Sequence, residues 1–338
     1  MKYNFYTWIL FLAAITLFFF SSCTNESGVD PLMPAQELCV VSTDGSDFRV
    51  IAEGGYSATF LPDSNKILFS GGKTELNGLY MVNIDGTGTI PVLYSSRIIK
   101  DFSFSPDNKK IVMPAQDGIY LMDLPTKKIR QILLSYGKSI RHTVFSGDNY
   151  RIVYQSNYDI EMTDTSGNTM QILKKENELI RNLSPSFIFE DNQIIYLQQN
   201  KRTENYLNSL ALYSIVSLKD TVLFKSDRLP VFYDYLYISG GSRVLIGIGQ
   251  TGPEDTIKII DLTDNFKTTV LDAGYNFSFS PDQSKILYVK SGSIYMINPD
   301  GSGRKLVYSE NDKYVSIGQP KLSFDGKYVL FGRSRQRQ

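Results

Sequence analysis

The sequence predicts an all-β protein whose folded part is a single β-propeller, most simply one of seven four-stranded blades, with six blades as the alternative. Two observations predict this fold. Related segments recur about every 40–50 residues, which is the period of a four-stranded propeller blade. The repeat region also begins and ends with incomplete units that complement each other. Strands from both ends would then share one blade, which closes the ring and leaves no exposed sheet edge between the first and last units.

The first half of each unit reads as a strand, a tight turn and a second strand. An aromatic or apolar residue precedes a second apolar residue, β-branched in every unit, by seven positions. The turn between them holds residues such as Asp107 and Asn108, which tolerate left-handed backbone and bond to their own main chain. This pattern predicts a β-hairpin. The seven pairs are Phe60 with Ile67, Phe104 with Ile111, Phe145 with Ile152, Phe187 with Ile194, Tyr237 with Val244, Phe279 with Ile286, and Leu322 with Val329.

The second half of each unit is a strand that runs into a turn and a further apolar segment. It is clearest at 294–308, where the turn is Asp-Gly, and 79–86 repeats it. Weaker copies begin at Ile119, Ile160, Leu210 and Ile257. Residues 38–51 contain this second half, with Asp44 and Gly45 at its turn, but no hairpin precedes it. Residues 322–331 are a hairpin with nothing after it. The two incomplete units together make one blade, which brings the count to seven.

These motifs carry a family resemblance. The Phe-Ser-Pro-Asp turns at 104–107 and 279–282 and the segment 294–302 resemble the repeats of TolB-like β-propellers. The resemblance covers roughly residues 38–338 and implies the propeller fold. TolB is described as six-bladed with an additional N-terminal α/β domain, whereas here only about fifteen residues separate Cys23 from the first predicted strand. The resemblance therefore does not imply TolB's role with the peptidoglycan-associated lipoprotein.

The N-terminus reads as a targeting segment. Lys2 precedes an apolar run that ends at Ser21 and Ser22, and 20–23 is similar to a bacterial lipobox, in which a signal peptidase cleaves before the cysteine. We therefore expect a lipoprotein signal peptide over 1–22, a lipidated tether over 23–37 that carries palmitate-type acyl chains on Cys23, and the propeller over 38–338. The alternatives are an uncleaved anchor helix and an ordinary secretory signal, but the apolar run is short of the ~20 residues that span a bilayer. The predicted location is the cell envelope, on a side that the sequence does not specify.

Composition excludes some classes of partner. Lys and Arg number 35 and Asp and Glu also number 35, and both signs are scattered, so no surface for tracking nucleic-acid phosphates is predicted. Cys39 lies in an apolar run and is expected to be a buried strand residue, because Cys23 would be consumed by lipid. We expect a monomer that folds without a disulfide.

A polar residue lies three positions before each hairpin anchor. If the first strand of each hairpin is innermost, these side chains would form a ring around one mouth of the central channel, either as a binding site or as solvated strand starts that bond to neighbouring loops. Lys100, Arg141, Tyr233 and Tyr275 flank the ring. Insertions at 200–208 and 250–255 lengthen two hairpin tips, where partner contacts are common. The ring residues are Ser57, Asp101, His142, Ser184, Asp234, Asn276 and Gln319.

The sequence predicts no catalytic residues, cofactor or metal site. His142 is the only histidine, no Gly-x-Ser-x-Gly elbow accompanies it, and the Asp-Gly turns lack the ligand spacing of calcium loops. The predicted function is a non-catalytic envelope lipoprotein that binds an envelope protein or an extracellular glycan through the propeller face or channel mouth. The alternative is a glycan lyase or hydrolase that uses channel-mouth carboxylates such as Asp101 and Asp234.

Overall fold

The chain folds as a seven-bladed β-propeller, as predicted. In the computed structural model every regular element of the described residues is a β-strand. These residues form no helix long and apolar enough to cross a membrane. The described ranges are 36–71, 78–94, 102–188, 192–200, 208–226, 235–238, 243–248, 256–265 and 267–335.

Six blades are antiparallel meanders of four consecutive strands, which we call A, B, C and D in chain order. Blade 1 is β3 (Gly55–Phe60), β4 (Lys66–Gly71), β5 (Gly78–Asn83) and β6 (Ile90–Tyr94); blade 2 is β7 (Ser103–Phe104), β8 (Lys110–Ala115), β9 (Gly118–Asp123) and β10 (Ile129–Leu134); blade 3 is β11 (Ile140–Phe145), β12 (Arg151–Ser156), β13 (Asp159–Asp164) and β14 (Thr169–Lys174); blade 4 is β15 (Ile180–Ile188), β16 (Gln193–Asn200), β17 (Asn208–Ser214) and β18 (Asp220–Ser226); blade 5 is β19 (Tyr235–Ile238), β20 (Arg243–Ile248), β21 (Thr256–Asp261) and β22 (Lys267–Ala273); blade 6 is β23 (Tyr275–Phe279), β24 (Ile286–Lys290), β25 (Ser293–Ile297) and β26 (Lys305–Ser309).

The seventh, closing blade combines both ends of the repeat region. Its sheet order places β1 next to β29, which joins the N-terminal strands to the C-terminal ones, with Val41 opposite Val329. The A position is divided between two short segments that both pair with β29. The predicted closure is therefore confirmed. From the A to the D position the closing strands are β27 (Val315–Ile317) with β28 (Lys321–Leu322), β29 (Tyr328–Arg335), β1 (Gln36–Ser42) and β2 (Arg49–Glu53).

The A strands line the axis, because A strands of neighbouring blades contact one another: β7 meets β11, β11 meets β15, and β28 meets both β23 and β3. Since strands alternate in direction, every A strand begins at one end of the ring, which we call the upper face. The tips between B and C strands lie there too. The A–B and C–D turns lie at the opposite end, the lower face. Gln36 and Ser334 are paired, so both ends of the described chain lie at the upper face.

The core lies between blades. Strand β1 shows why its apolar run is continuous: Leu38 and Val40 pack against blade 1, whereas Cys39 and Val41 pack against blade 6. Successive strand residues point to opposite faces, so a strand covered on both sides is apolar at every position. Buried clusters of this kind fill all seven seams between blades.

Candidate functional site

The structure describes five of the seven predicted ring residues, and each lies at the upper part of the A position in its blade. Cys23, Asp101 and Asp234 lie outside the described residues, as does most of the two predicted insertions. The ring residues thus lie on one face, as the antiparallel order requires, while their role as a binding site stays a prediction. The five are Ser57, His142, Ser184, Asn276 and Gln319.

Three ring residues lie in β-bulges. The strand pairing slips between Arg141 and Val144 in blade 3, and equivalent slips occur in blades 4 and 6. Within these bulges His142, Ser184 and Asn276 adopt left-handed backbone, with φ near 50°. That conformation costs a residue with a side chain roughly 1–2 kcal/mol, and bulges turn side chains in new directions. No glycine or turn motif marks these positions, so the bulges were not predicted.

Several ring groups hydrogen-bond across blades. The Asn276 amide nitrogen donates to the Ile317 carbonyl (3.0 Å), and the Gln319 amide nitrogen donates back to the Phe277 carbonyl (2.6 Å). In blade 4 the Ser184 main-chain N–H donates to a side-chain oxygen of the preceding blade. The first two bonds link adjacent A positions, and the third links an A strand to the B strand of the preceding blade. Part of the ring therefore serves to join blades, in the way expected for polar groups that bond to neighbouring segments.

A cavity of about 340 Å³ opens at the upper part of the closing blade. It lies where the A position is interrupted between β27 and β28, at Gly318, Gln319 and Pro320. Three predicted ring residues, Ser57, Asn276 and Gln319, line it. The other lining residues are Gln36, Leu38, Gly55, Ala58, Tyr275, Ser316, Ile317, Gly318, Lys321, Leu330, Phe331, Gly332, Arg333 and Ser334.

The lining offers hydrogen-bond acceptors in particular. Because Asn276 and Gln319 use their amide nitrogens on main-chain carbonyls, their amide oxygens remain without a donor from the described chain. The side-chain oxygen of Gln36 is buried and likewise has no partner there. No Asp, Glu or His is among the lining residues that the structure describes. The cavity can hold a polar ligand by hydrogen bonds, but its described lining contains no acid–base pair.

Arg333 at the cavity wall is held by two carboxylates. Its guanidinium donates to Glu310 (2.7 Å) and to Glu37 (3.0 Å). Burial of Glu310 opposes ionisation, but the Arg333 bond and other donors outweigh it and lower the Glu310 pKa; the bond to Glu310 in turn raises the pKa of Arg333. Burial and Glu310 raise the pKa of Tyr308 to about 12. Arg333 is therefore held in place at the edge of the cavity, where it joins the closing blade to blade 6.

Sequence reasoning missed Gln36, Ser316, Lys321 and Arg333. They belong to the cavity only because the chain ends meet in one blade, and no repeat position marks them. Within the described ranges, no group of three or more His, Cys, Asp or Glu residues is placed to hold a metal ion. The cavity is the candidate site that the structure adds to the predicted ring.

No protein-family model matches this chain, and no curated protein matches it. Solved structures do match its fold, and they include TolB proteins and other propellers. An oligogalacturonate lyase from Vibrio parahaemolyticus aligns with TM-score 0.62 and 11% identity over 91% of this chain and 96% of that one. A putative TolB from Agrobacterium tumefaciens aligns with TM-score 0.51 and 12% identity over 89% and 98%.

The TolB structure from Acinetobacter baumannii aligns with TM-score 0.49 and 16% identity over 72% of this chain, which spans 65% of the length of that TolB. The two alignments with TM-scores of 0.62 and 0.51 establish a shared fold, and at 11% and 12% identity they establish no shared chemistry. The predicted likeness to TolB-like propellers is confirmed as a likeness of fold.

Proposed function

We propose that this protein is a non-catalytic cell-envelope lipoprotein that binds an envelope protein or an extracellular glycan at its upper face. The observation that supports this proposal is the cavity at the closing blade. Its acceptor-rich amide lining, together with an Arg333 already engaged by carboxylates, suits a ligand held by hydrogen bonds. Pockets of this size with a few convergent polar groups are typical ligand sites.

The chemistry of the lining favours binding over turnover. Hydrolysis of a glycosidic bond by the common mechanisms needs two carboxyl groups, one of them a proton donor. Amide side chains such as Asn276 and Gln319 do not act as general acids or bases near neutral pH. The described lining contains no carboxylate, which supports a scaffold.

A lipid on Cys23 would determine how the upper face is oriented toward the membrane. Cys23 precedes Gln36 by thirteen positions, and a fully extended segment of that length reaches at most ~45 Å. Gln36 lies at the upper face beside the cavity. A lipid on Cys23 would thus hold the proposed binding face close to the membrane, where partners in the same envelope layer are concentrated.

Metabolic labelling with an alkyne-tagged palmitate tests the lipid. Labelling is expected for the full chain and is expected to disappear in Cys23→Ser. Cys39 supplies an internal control, because burial raises the pKa of its thiol to about 12 and leaves it unreactive. Labelling that persists in Cys23→Ser would contradict the lipoprotein proposal.

Capture from envelope extracts tests the binding site. The whole protein is expected to retain one protein or polymer, and Gln319→Leu is expected to reduce retention at least ten-fold because it removes an acceptor from the cavity. Gln171→Leu, on the outermost strand of blade 3, is the control and should retain the ligand. Each variant must first show wild-type circular dichroism and melting temperature.

Two outcomes would overturn this part of the proposal. Equal retention by Gln319→Leu and the Gln171→Leu control would remove the cavity from the function. Turnover of any polysaccharide by the purified protein would replace the scaffold by the enzyme alternative.

A further inference from the structure

Two arginines at the upper face differ from most others in the described chain. Arg141 in β11 and Arg181 in β15 make no ion pair with any carboxylate of the described ranges. Arg130 makes none either, but it lies on an outermost strand and donates to the Thr165 carbonyl. The remaining described arginines all pair with Asp or Glu: Arg49, Arg151, Arg243, Arg304, Arg333 and Arg335.

The two arginines lie on adjacent A strands, and hydrogen bonds join β15 to blade 3 at the seam between blades 3 and 4. The Ser184 N–H of β15 donates at 3.0 Å to the side-chain oxygen of Gln155, which is opposite Arg141 in blade 3. Asn182 donates to the Tyr158 carbonyl of blade 3 through both its main-chain and side-chain nitrogens, at 3.2 Å each. These bonds fix β15 against blade 3 beside Arg181.

Contacts between blades place both arginines at this seam. Cross-strand partners lie on the same side of a sheet, so Arg141 shares its side with Gln155, which accepts the Ser184 N–H of blade 4. The Arg181 guanidinium lies over the ring of Tyr158 in blade 3. Each arginine is therefore placed where its blade meets the other.

Contacts within the protein orient both guanidinium groups and leave hydrogen-bonding capacity unused. The Arg181 guanidinium lies 4.5 Å from the centre of the Tyr158 ring, and its Nε is buried without an acceptor. The Arg141 Nε donates to the Ser139 hydroxyl at 3.3 Å. A guanidinium has five donors and no acceptor. Within the described chain no hydrogen bond uses the terminal nitrogens of Arg141 or Arg181.

The carboxylates of Glu161 and Asp159 in blade 3 do not accept hydrogen bonds from these terminal nitrogens. Glu161 is engaged by the Lys138 ammonium (2.8 Å) and the Tyr154 hydroxyl (2.9 Å). Asp159 accepts the Glu176 main-chain N–H, and no ion pair joins either residue to Arg141 or Arg181. The site thus offers two oriented forks for an anion that comes from outside.

We propose that Arg141 and Arg181, at the seam of blades 3 and 4, bind carboxylate side chains of an acidic protein segment. This inference rests on the proposed function and names the class of partner. Arginine and tyrosine are the residue types that most often anchor protein interfaces. Tyr158 stacks beneath Arg181, and Tyr136 on the adjoining D–A loop is 85% exposed. A protein partner with Asp or Glu side chains matches both the charge and the aromatic surface.

The test measures anisotropy of a fluorescein-labelled deca-glutamate peptide with the whole protein in detergent. Binding is expected for the wild type and not for a deca-glutamine peptide. Arg141→Gln and Arg181→Gln should each weaken it about ten-fold, because each removes a charged fork. Arg181→Lys keeps the charge but loses the fork and should be intermediate. Arg130→Gln, which removes an arginine at a distant outer strand, should bind as the wild type does.

Three outcomes would overturn the inference. They are no binding of deca-glutamate by the wild type, an equal loss in Arg130→Gln, and arginine-dependent binding of a polyuronate in place of the peptide. Envelope capture that still depends on Gln319 would leave the proposed function intact in each case. If envelope capture no longer depended on Gln319 while deca-glutamate still bound, the proposed role of the cavity would be refuted and the arginine site would stand.

Discussion

A buried serine hydroxyl organises the tight turn at the lower end of four A strands. Its Oγ donates to the aspartate two positions on and accepts the main-chain N–H five positions on, as Ser280 does with Asp282 and Lys285. The residue after the aspartate takes left-handed backbone, as at Gln283. The Ser-Pro-Asp motif is therefore explained as turn chemistry. The serine–aspartate pairs are Ser105 with Asp107, Ser146 with Asp148, Ser280 with Asp282, and Ser323 with Asp325.

Ser280→Ala is expected to lower the free energy of unfolding by about 1–3 kcal/mol, because it removes a buried hydroxyl and leaves the Lys285 N–H without its acceptor. Urea unfolding followed by circular dichroism measures the change. Ser284→Ala, at an exposed hydroxyl bonded to the same aspartate, is the control and should change it by less than about 0.5 kcal/mol. Equal effects of the two substitutions would show that the buried hydroxyl does not organise the turn.

At the scale of elements, buried tyrosines in B strands anchor neighbouring strands through carboxylates. Tyr288 in β24 donates to Asp272 at the end of β22, which also binds Lys290 and Arg304. Burial of Asp272 opposes ionisation, but the hydrogen bonds from Lys290 and Tyr288 outweigh it and lower the Asp272 pKa to about 2. Burial and Asp272 together raise the pKa of Tyr288. The seam between blades 5 and 6 is thus held by an ionised carboxylate.

The Asp272 cluster predicts an acid-sensitive seam. A carboxyl whose pKa falls from 3.8 to about 2 on folding stabilises the protein above pH 3.8 by about 2 kcal/mol, and this contribution is lost as pH falls through 2. Urea midpoints measured from pH 7 to pH 2 should therefore fall less steeply below pH 4 in Asp272→Asn, which starts from a lower midpoint.

Asp264→Asn removes an exposed carboxylate paired only with Lys267, and it is the matched control for that series. The urea midpoint of Asp264→Asn should fall below pH 4 as steeply as that of the wild type, because exposed ion pairs contribute little. An equally steep fall in the wild type and in Asp272→Asn would contradict the role given to Asp272.

For the whole molecule, the ring is closed by hydrogen bonds between the two ends of the repeat region. Strands β1 and β29 pair from Gln36 opposite Ser334 to Ser42 opposite Tyr328. The closing blade is joined to blade 1 by the Asp325 N–H, which donates to the Ser64 hydroxyl at 3.0 Å. The two ends of the repeat region are therefore neighbours, and every seam has a similar packed core.

Circular permutation should preserve the fold. A short glycine-rich linker from Arg335 to Gln36, with new ends between Ser291 and Gly292 at an upper tip of blade 6, leaves every strand intact. The permutant is expected to show the wild-type circular dichroism spectrum and elution volume. New ends at Tyr288, inside β24, should prevent folding. A misfolded tip permutant alongside a folded strand permutant would contradict the closed ring.

The sequence by itself determined the propeller and its closure, and it favoured the seven blades that the structure shows over six. These features follow from the spacing of residues within and between the repeats. All seven predicted pairs, from Phe60 with Ile67 to Leu322 with Val329, are cross-strand partners. It also determined that Cys39 is buried, because an apolar run without alternation needs cover on both faces.

Only the tertiary structure decided where ligands could bind. The cavity forms because the A position of the closing blade is broken at Gly318 and because β1 and β29 meet there. The placement of Arg141 and Arg181 at one seam follows from contacts between blades that no motif marks. Repeat spacing determines which strands are neighbours within a blade. A site between blades depends on how side chains pack across the seams, and no fixed spacing in the sequence specifies that packing.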